Sequence, residues 1–365
     1  MKVEKKLVLN RYFLNLFGFK EVKDLQARFT NPVPVQEGYD SEGRSFFVQE
    51  LRLLEGLKID EDTLLKYDEN IKEYLEKINQ NREDKIILKY FQYMAVLFTE
   101  IFLDKLTASK QEFLCELNQF LQEYKQEVTN IPFDEFTEKD LNKIAYWMAT
   151  GSGKTLIMHI NFYQFMRYKP FNPENIILIT PNEGLSKQHY EEAIKSGIIC
   201  KLYDGNLTSL SELIGTDGLL IIEITKFVKE KKGEGVTIPI EAFEGKNLVF
   251  VDEGHKGQVT EERKWKSLRD AISSSGFTFE YSATFGQILG NEEILEEYSK
   301  SIIFNYSYKY FYFDGYGKDF YVFNVRNTGL SEEDYRNKVL VANLLSYYEQ
   351  LRLFEENKNL AKEYN

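Results

Sequence analysis

Cysteine is nearly absent from this sequence, with only Cys115 and Cys200 in 365 residues. The two lie far apart without metal-type spacing, which excludes a disulfide scaffold, implies no zinc site and fits a reducing compartment. Long apolar runs are also lacking, and no uninterrupted segment approaches the roughly 18–20 residues that span a bilayer. The early lysines of "MKVEKKLVLNRYFLNLFGF" have the look of a signal peptide. Asn10, Arg11 and Asn15 break its apolar run, however, and no small-residue cleavage site follows. The expectation is a cytoplasmic protein with no membrane partner. Positive charge is in deficit, 46 Lys and Arg against 58 Asp and Glu, for a net charge of −12. Coating of nucleic acid through bulk charge is thereby excluded, although a local basic groove is not. Internal repeats and low-complexity tracts are missing.

What remains is an ordinary globular composition, 43% apolar and 28% charged, with 15% aromatics. The length suffices for two or three domains with real cores. Residues 1–140 read as a mainly helical region: "DENIKEYLEKINQNRED", "LKYFQYMAVLFTEIFLDKL" and "SKQEFLCELNQFLQEYKQEV" place apolar residues at three- and four-residue intervals. Asn31 to Asp40 reads as loop, and "TNIPFDEFTEKDLNK" as a boundary. Over residues 141–300 short strands alternate with helices. "KIAYWMAT", "NIILIT", "GIICKLY", "GLLIIEIT", "NLVFVDE" and "FTFEYSAT" are the strands, with "GKTLIMHINFYQFMRY" and "EGLSKQHYEEAIKSG" among the helices. Nearly continuous apolar strands separated by helices predict an α/β fold with a parallel sheet covered on both faces. Residues 301–365 read as an aromatic, extended linker and, with a last helix, the start of a second domain that is cut short.

The chemistry begins at "WMATGSGKTL", between a predicted strand and a predicted helix. Gly151 and Gly153 let the backbone turn so that the N–H groups of Thr150, Gly151, Ser152 and Gly153 face phosphate oxygens, beside a helix N-terminus of positive partial charge. Lys154 would reach the β- and γ-phosphates and the Thr155 hydroxyl would ligate Mg²⁺. Met148 stands where the strict pattern has its first glycine. About a hundred residues on, "NLVFVDEGHKG" ends a strand with Asp252 and Glu253. That places both carboxylates at the sheet edge where ligands bind. Asp252 would hold Mg²⁺ and Glu253 would polarise the attacking water.

These segments and "YSATF", with Ser282 and Thr284, resemble motifs I, II and III of superfamily 2 DEAD/DEAH-box helicases. "IILITPNEGLSKQHYEE" is similar to motif Ia, with Thr180, Pro181, Leu185 and Gln188, and "IIEITKF" stands where motif Ib falls, with Glu223 and Thr225. "YWMATGSGKTLIMHIN", "LKYFQYMAVLFTEIFLDKL" and "DEGHKG" resemble the helicase (Res) subunit of type III restriction enzymes and related bacterial defence proteins. The resemblance implies a RecA-like ATPase domain, ATP and Mg²⁺ as cofactors, and DNA as partner through backbone contacts from Thr180, Pro181, Gln188, Glu223 and Thr225. It also implies that His255 links the γ-phosphate site to Ser282 and Thr284, which couple hydrolysis to movement. Gln92 is the expected adenine-recognising glutamine, or else a polar position on an amphipathic helix. His159 and His189 read as ordinary helix residues. Glu244-Gly245-Lys246 reads as a turn rather than part of a nuclease.

Such motors close a second RecA-like domain over the nucleotide to supply arginines, but only about eighty residues follow "YSATF" and they hold no Gln-x-x-Gly-Arg-x-x-Arg pattern. The expectation is a fragment, or one half of a split machine, that hydrolyses ATP poorly without its second domain and works with a nuclease or modification subunit. The competing expectation is an ATP-responsive scaffold for partner proteins.

Overall fold

The computed structural model describes residues 3–128, 131–205, 213, 216–228, 237–253, 267, 269–290, 292–317, 329 and 331–358. The chain divides into two compact units, Met1–Gly317 and Lys318–Asn365.

Among the described residues of the first unit lie nine strands: β1 (Lys143–Met148), β2 (Asn175–Thr180), β3 (Cys200–Leu202), β4 (Leu219–Glu223), β5 (Phe227–Val228), β6 (Ile238–Pro239), β7 (Asn247–Asp252), β8 (Phe277–Ser282) and β9 (Ile302–Tyr306). Seven of them form one sheet in the order β3-β4-β2-β7-β8-β1-β9, parallel throughout, while β5 and β6 pair separately. Strict alternation sorts the strand residues between two cores. Ile176, Leu178, Leu219, Ile221, Leu248 and Phe250 face one core. Ile177, Ile179, Leu220, Ile222, Val249 and Val251 face the other. Burial on both faces is why these strands read as continuous apolar runs.

The helical elements before the sheet are α1 (Val8–Leu16), α2 (Val22–Thr30), α3 (Phe46–Arg52), α4 (Glu61–Asn79), α5 (Tyr90–Ala108) and α6 (Lys110–Glu127). After β1 come α7 (Lys154–Tyr168) and, after β2, α8 (Glu183–Lys195); α9 (Glu292–Ser301) and α10 (Tyr308–Phe313) flank β9. The N-terminal helices share the core of one sheet face rather than building their own. Helix α5 packs against α4, α6, α7 and β9, and every residue from Tyr93 to Leu103 is buried. The spacing that reads as amphipathic therefore belongs to a helix enclosed on all sides. Its Glu100, wholly buried, accepts hydrogen bonds from Asn70 (2.8 Å), Tyr74 (3.2 Å), Gln164 (2.6 Å) and Tyr168 (2.9 Å), tying α4, α5 and α7 together. Burial raises its carboxyl above the usual range, and the four donors work against that rise. A second buried carboxylate, Glu280 of β8, is compensated by Lys143 (3.0 Å), Arg269 (3.3 Å) and the Tyr298 hydroxyl (2.7 Å).

The extended linker expected after residue 300 is different in structure. Ile302–Tyr306 is the edge strand beside β1, and the aromatic stretch after it turns into α10. Phe91 stacks on Tyr306 at 4.0 Å between ring centroids, so the aromatics of this stretch serve packing against α5. The second unit contains α11 (Glu332–Glu356), whose N-cap Ser331 accepts from the Asp334 N–H at 3.1 Å. Three acidic residues fill its first turn, where the helix dipole favours them.

Candidate functional site

All sheet strands run the same way, so the ends of β1, β2, β4, β7 and β8 present their following residues along one edge. At the end of β1 the chain turns through Gly151 (φ 85°) and Gly153 (φ 89°), both in the left-handed region that L side chains avoid. Ser152 is fully buried; its Oγ donates to the Ala149 carbonyl at 2.7 Å and its N–H to the same oxygen at 3.2 Å. Helix α7 begins at Lys154, leaving its first-turn N–H groups without helical partners. The Lys154 ammonium lies 3.5 Å from the carbonyls of Met148 and Ala149. Burial lowers its pKa, and the nearby charges of Glu253 and Asp252 oppose that fall.

Gln92, sixty positions upstream, is brought onto this loop. Its Nε2 donates to the Ser152 carbonyl at 3.0 Å, and its Oε1 accepts from the Lys89 N–H at 2.9 Å as the capping group of α5. A Cβ on Gly153 would stand 2.4 Å from that Nε2. The amide thus commits one donor and one acceptor to the protein and keeps one of each. On the other side of the loop, Phe311 of α10 lies 3.6 Å from where a Gly151 Cβ would be. Its ring packs on Tyr316 at 5.5 Å. Tyr316, Lys89, Tyr90 and Asp314 line a cavity of about 540 Å³.

At the end of β7, Asp252 is mostly buried and held from two sides. Its Oδ1 accepts the Glu253 N–H at 3.0 Å, and its Oδ2 accepts from His189 Nε2 of α8 at 3.0 Å. Burial alone would raise the Asp252 carboxyl, but the His189 hydrogen bond, the Lys154 charge and the Glu253 N–H outweigh it and hold the group below the usual range. Asp252 is therefore ionised. Glu253 itself adopts φ 57°, a left-handed conformation costly for a non-glycine residue and typical of functional turns. Among the described residues no group of three or more His, Cys, Asp or Glu is placed to hold a metal ion.

Ser282, wholly buried at the end of β8, accepts the Thr284 N–H on its Oγ at 3.0 Å. The loop that follows is fastened to β1 by Trp147 Nε1, which donates to the Ala283 carbonyl at 3.1 Å. The Thr284 hydroxyl is buried without a hydrogen-bond partner among the described residues. His255 lies outside the described residues.

At the ends of β2 and β4 the expected nucleic-acid residues divide. Thr180 is 1% exposed and its hydroxyl is bonded to Ser186 Oγ at 2.6 Å, so its side chain is a structural fastener and not a contact for a ligand. Pro181 and Glu223 are half-buried, while Gln188 and Thr225 are exposed. The Thr225 hydroxyl donates to Glu223 Oε1 at 2.7 Å. Of the two nearby lysines, Lys187 pairs with Glu183 at 2.9 Å and Lys226 donates to the Tyr203 carbonyl at 3.1 Å.

His189 is the residue that sequence reasoning passed over. The inward positions of α8 are Ser186, His189 and Ala193; two of the three are polar on a face that should be apolar, and that was the available signal.

No helix among the described residues is long and apolar enough to cross a membrane. No curated protein matches this chain closely enough to count as a relative. Among solved structures it is similar to the Sulfolobus solfataricus SWI2/SNF2 ATPase core in complex with dsDNA, at 13% identity and a TM-score of 0.32, over 43% of this chain and 30% of that one. It is also similar to the UvsW helicase from bacteriophage T4, at 14% identity and a TM-score of 0.31, over 53% of this chain and 70% of that one. The chain thus spans less than a third of the length of the first of these proteins. The family described as type III restriction enzyme, res subunit, matches residues 105–287, half of the chain, and the chain belongs to that family.

Proposed function

We propose that the loop between β1 and α7 binds the triphosphate of ATP, and that the chain is the first motor domain of an ATP-driven DNA helicase or translocase of the restriction or phage-defence kind. One observation carries this reading: Lys154 lies within reach of the charges of both Asp252 and Glu253, beside a loop turned by two left-handed glycines. The loop N–H groups and Lys154 would neutralise phosphate charge, because aligned donors at a helix N-terminus favour anions. Thr155 and Asp252 would hold Mg²⁺, which screens charge on the β- and γ-phosphates. Glu253 would orient and polarise the attacking water. Gln92, with its one free donor and one free acceptor, would read the adenine edge next to the Tyr316-lined cavity.

DNA contacts would come from Pro181, Gln188 and Thr225 at the same edge, through backbone phosphates without sequence readout. The two nearby lysines are already engaged, so affinity should be modest and salt-sensitive. A second RecA-like domain would close over the nucleotide and supply arginines worth about 10³–10⁵ in rate. A nuclease or modification subunit is the further expected partner.

A DNA-stimulated ATPase assay, with and without a second RecA-like domain, tests the motor reading. Stimulation that requires the second domain, and is lost in Lys154→Ala and Glu253→Gln, supports it. ATP binding without hydrolysis in either preparation refutes the motor and favours an ATP-responsive scaffold. The fastening of the helical region to the phosphate loop through Gln92 and Ser152 gives that scaffold reading its own physical basis.

A further inference from the structure

We propose that His189 is a positioning residue for the metal-binding carboxylate, holding Asp252 in the orientation that receives Mg²⁺. The inference rests on the nucleotide-site reading above. A carboxylate only accepts hydrogen bonds, so the 3.0 Å contact from His189 Nε2 to Asp252 Oδ2 is an N–H donation, and it fixes the ring tautomer. The side chains of the pair are 4% and 11% exposed, so water does not compete freely for the bond. With the Glu253 N–H on Oδ1, the carboxylate is gripped at both oxygens and cannot rotate about its terminal torsion. One lone pair on each oxygen remains for a metal or its water.

The placement of His189 is specific. Asn182 caps α8 by accepting the Leu185 N–H at 2.9 Å, and Ser186 bonds the buried Thr180 hydroxyl at 2.6 Å. These two anchors set the rotation of α8, so that its next inward residue, His189, meets β7 two strand ends away from the phosphate loop. The other ring nitrogen, Nδ1, is buried with no hydrogen-bond partner among the described residues.

The test measures ATP binding by the 365-residue chain in EDTA and across a Mg²⁺ titration, for wild type and the variants His189→Leu, His189→Gln and Asp252→Asn. Loss of a partner that orients a metal ligand costs about 10–100-fold in metal affinity. His189→Leu is therefore expected to raise the half-saturating Mg²⁺ concentration by about tenfold or more, with ATP binding in EDTA unchanged. His189→Gln, which places an amide N–H near the same position, should restore most of the loss. Equal weakening of ATP binding with and without Mg²⁺ would show a merely structural role and overturn the inference. So would a wild-type Mg²⁺ dependence in His189→Leu when Asp252→Asn has lost it. Failure of the underlying nucleotide reading has another signature: wild type does not bind ATP, or Asp252→Asn keeps the full Mg²⁺ dependence.

Discussion

Replacing Gly153 by alanine perturbs the phosphate loop in two ways that a double-mutant cycle separates. The backbone there has φ 89° and ψ 29°, and an L side chain in the left-handed region costs about 1–2 kcal/mol. The new Cβ would also stand 2.4 Å from Gln92 Nε2, so the glutamine must swing away. It then loses its bond to the Ser152 carbonyl, about 1 kcal/mol, and its cap on the Lys89 N–H, about 1 kcal/mol. Gly153→Ala is therefore expected to cost about 3–4 kcal/mol and Gln92→Ala about 2 kcal/mol. The double variant should cost about 3–4 kcal/mol, not the additive 5–6, because Gln92 is already gone. Urea unfolding followed by circular dichroism, compared at unchanged m-value, measures all three. A double variant at the additive value would refute the claim that Gln92 and the loop form one mechanical unit.

Other substitutions probe the remaining parts of the site. Burial lowers the His159 pKa from 6.5 to about 3, so the unfolded chain binds the extra proton between those values. Stability then falls as pH drops below 6.5, by about 2 kcal/mol at pH 5. His159→Gln should flatten this part of the profile; an unchanged slope in urea unfolding would contradict it. Glu253→Asn, tolerant of φ 57°, should leave the melting temperature unchanged or raised, whereas Glu253→Val should lose about 1–2 kcal/mol. Equal losses by calorimetry would show that the backbone there is not strained. Glu100→Ala strands four donors and should cost about 3–5 kcal/mol, with Glu100→Gln clearly milder, and equal effects of the two in chemical denaturation would refute the role given to this carboxylate.

Much of this architecture was legible because the strands carry a strong signal. "NIILIT", "GLLIIEIT" and "NLVFVD" each have four consecutive apolar residues at their centre, which a sheet covered on both faces requires, and the polar residues that end them lie at the candidate site. The turn between β1 and α7 was legible for a local reason, since Gly151 and Gly153 take the left-handed region that a tight turn into a helix requires. Residues whose partners are remote in sequence were harder to read. His189 is an ordinary helix position until Asp252, 63 residues away, is brought beside it. Thr180 occupies a motif position yet spends its hydroxyl on Ser186, and no local pattern distinguishes a fastener from a contact. "SIIFNYSYKYFYF" looks uniformly extended because its aromatics suit strands, but five residues complete the sheet edge and the rest coil into α10 against the phosphate loop. Helices α1 to α3 are too short for periodicity to mark them.

The most direct test of the central claim is equilibrium binding of ATP with Mg²⁺ to wild type and Lys154→Ala, alongside their melting temperatures. Saturable binding by wild type, weakened about tenfold or more in Lys154→Ala (about 1.4 kcal/mol per tenfold) with the melting temperature preserved, is the predicted result. Equal affinity of the two proteins for ATP would contradict the assignment of the loop as a nucleotide site.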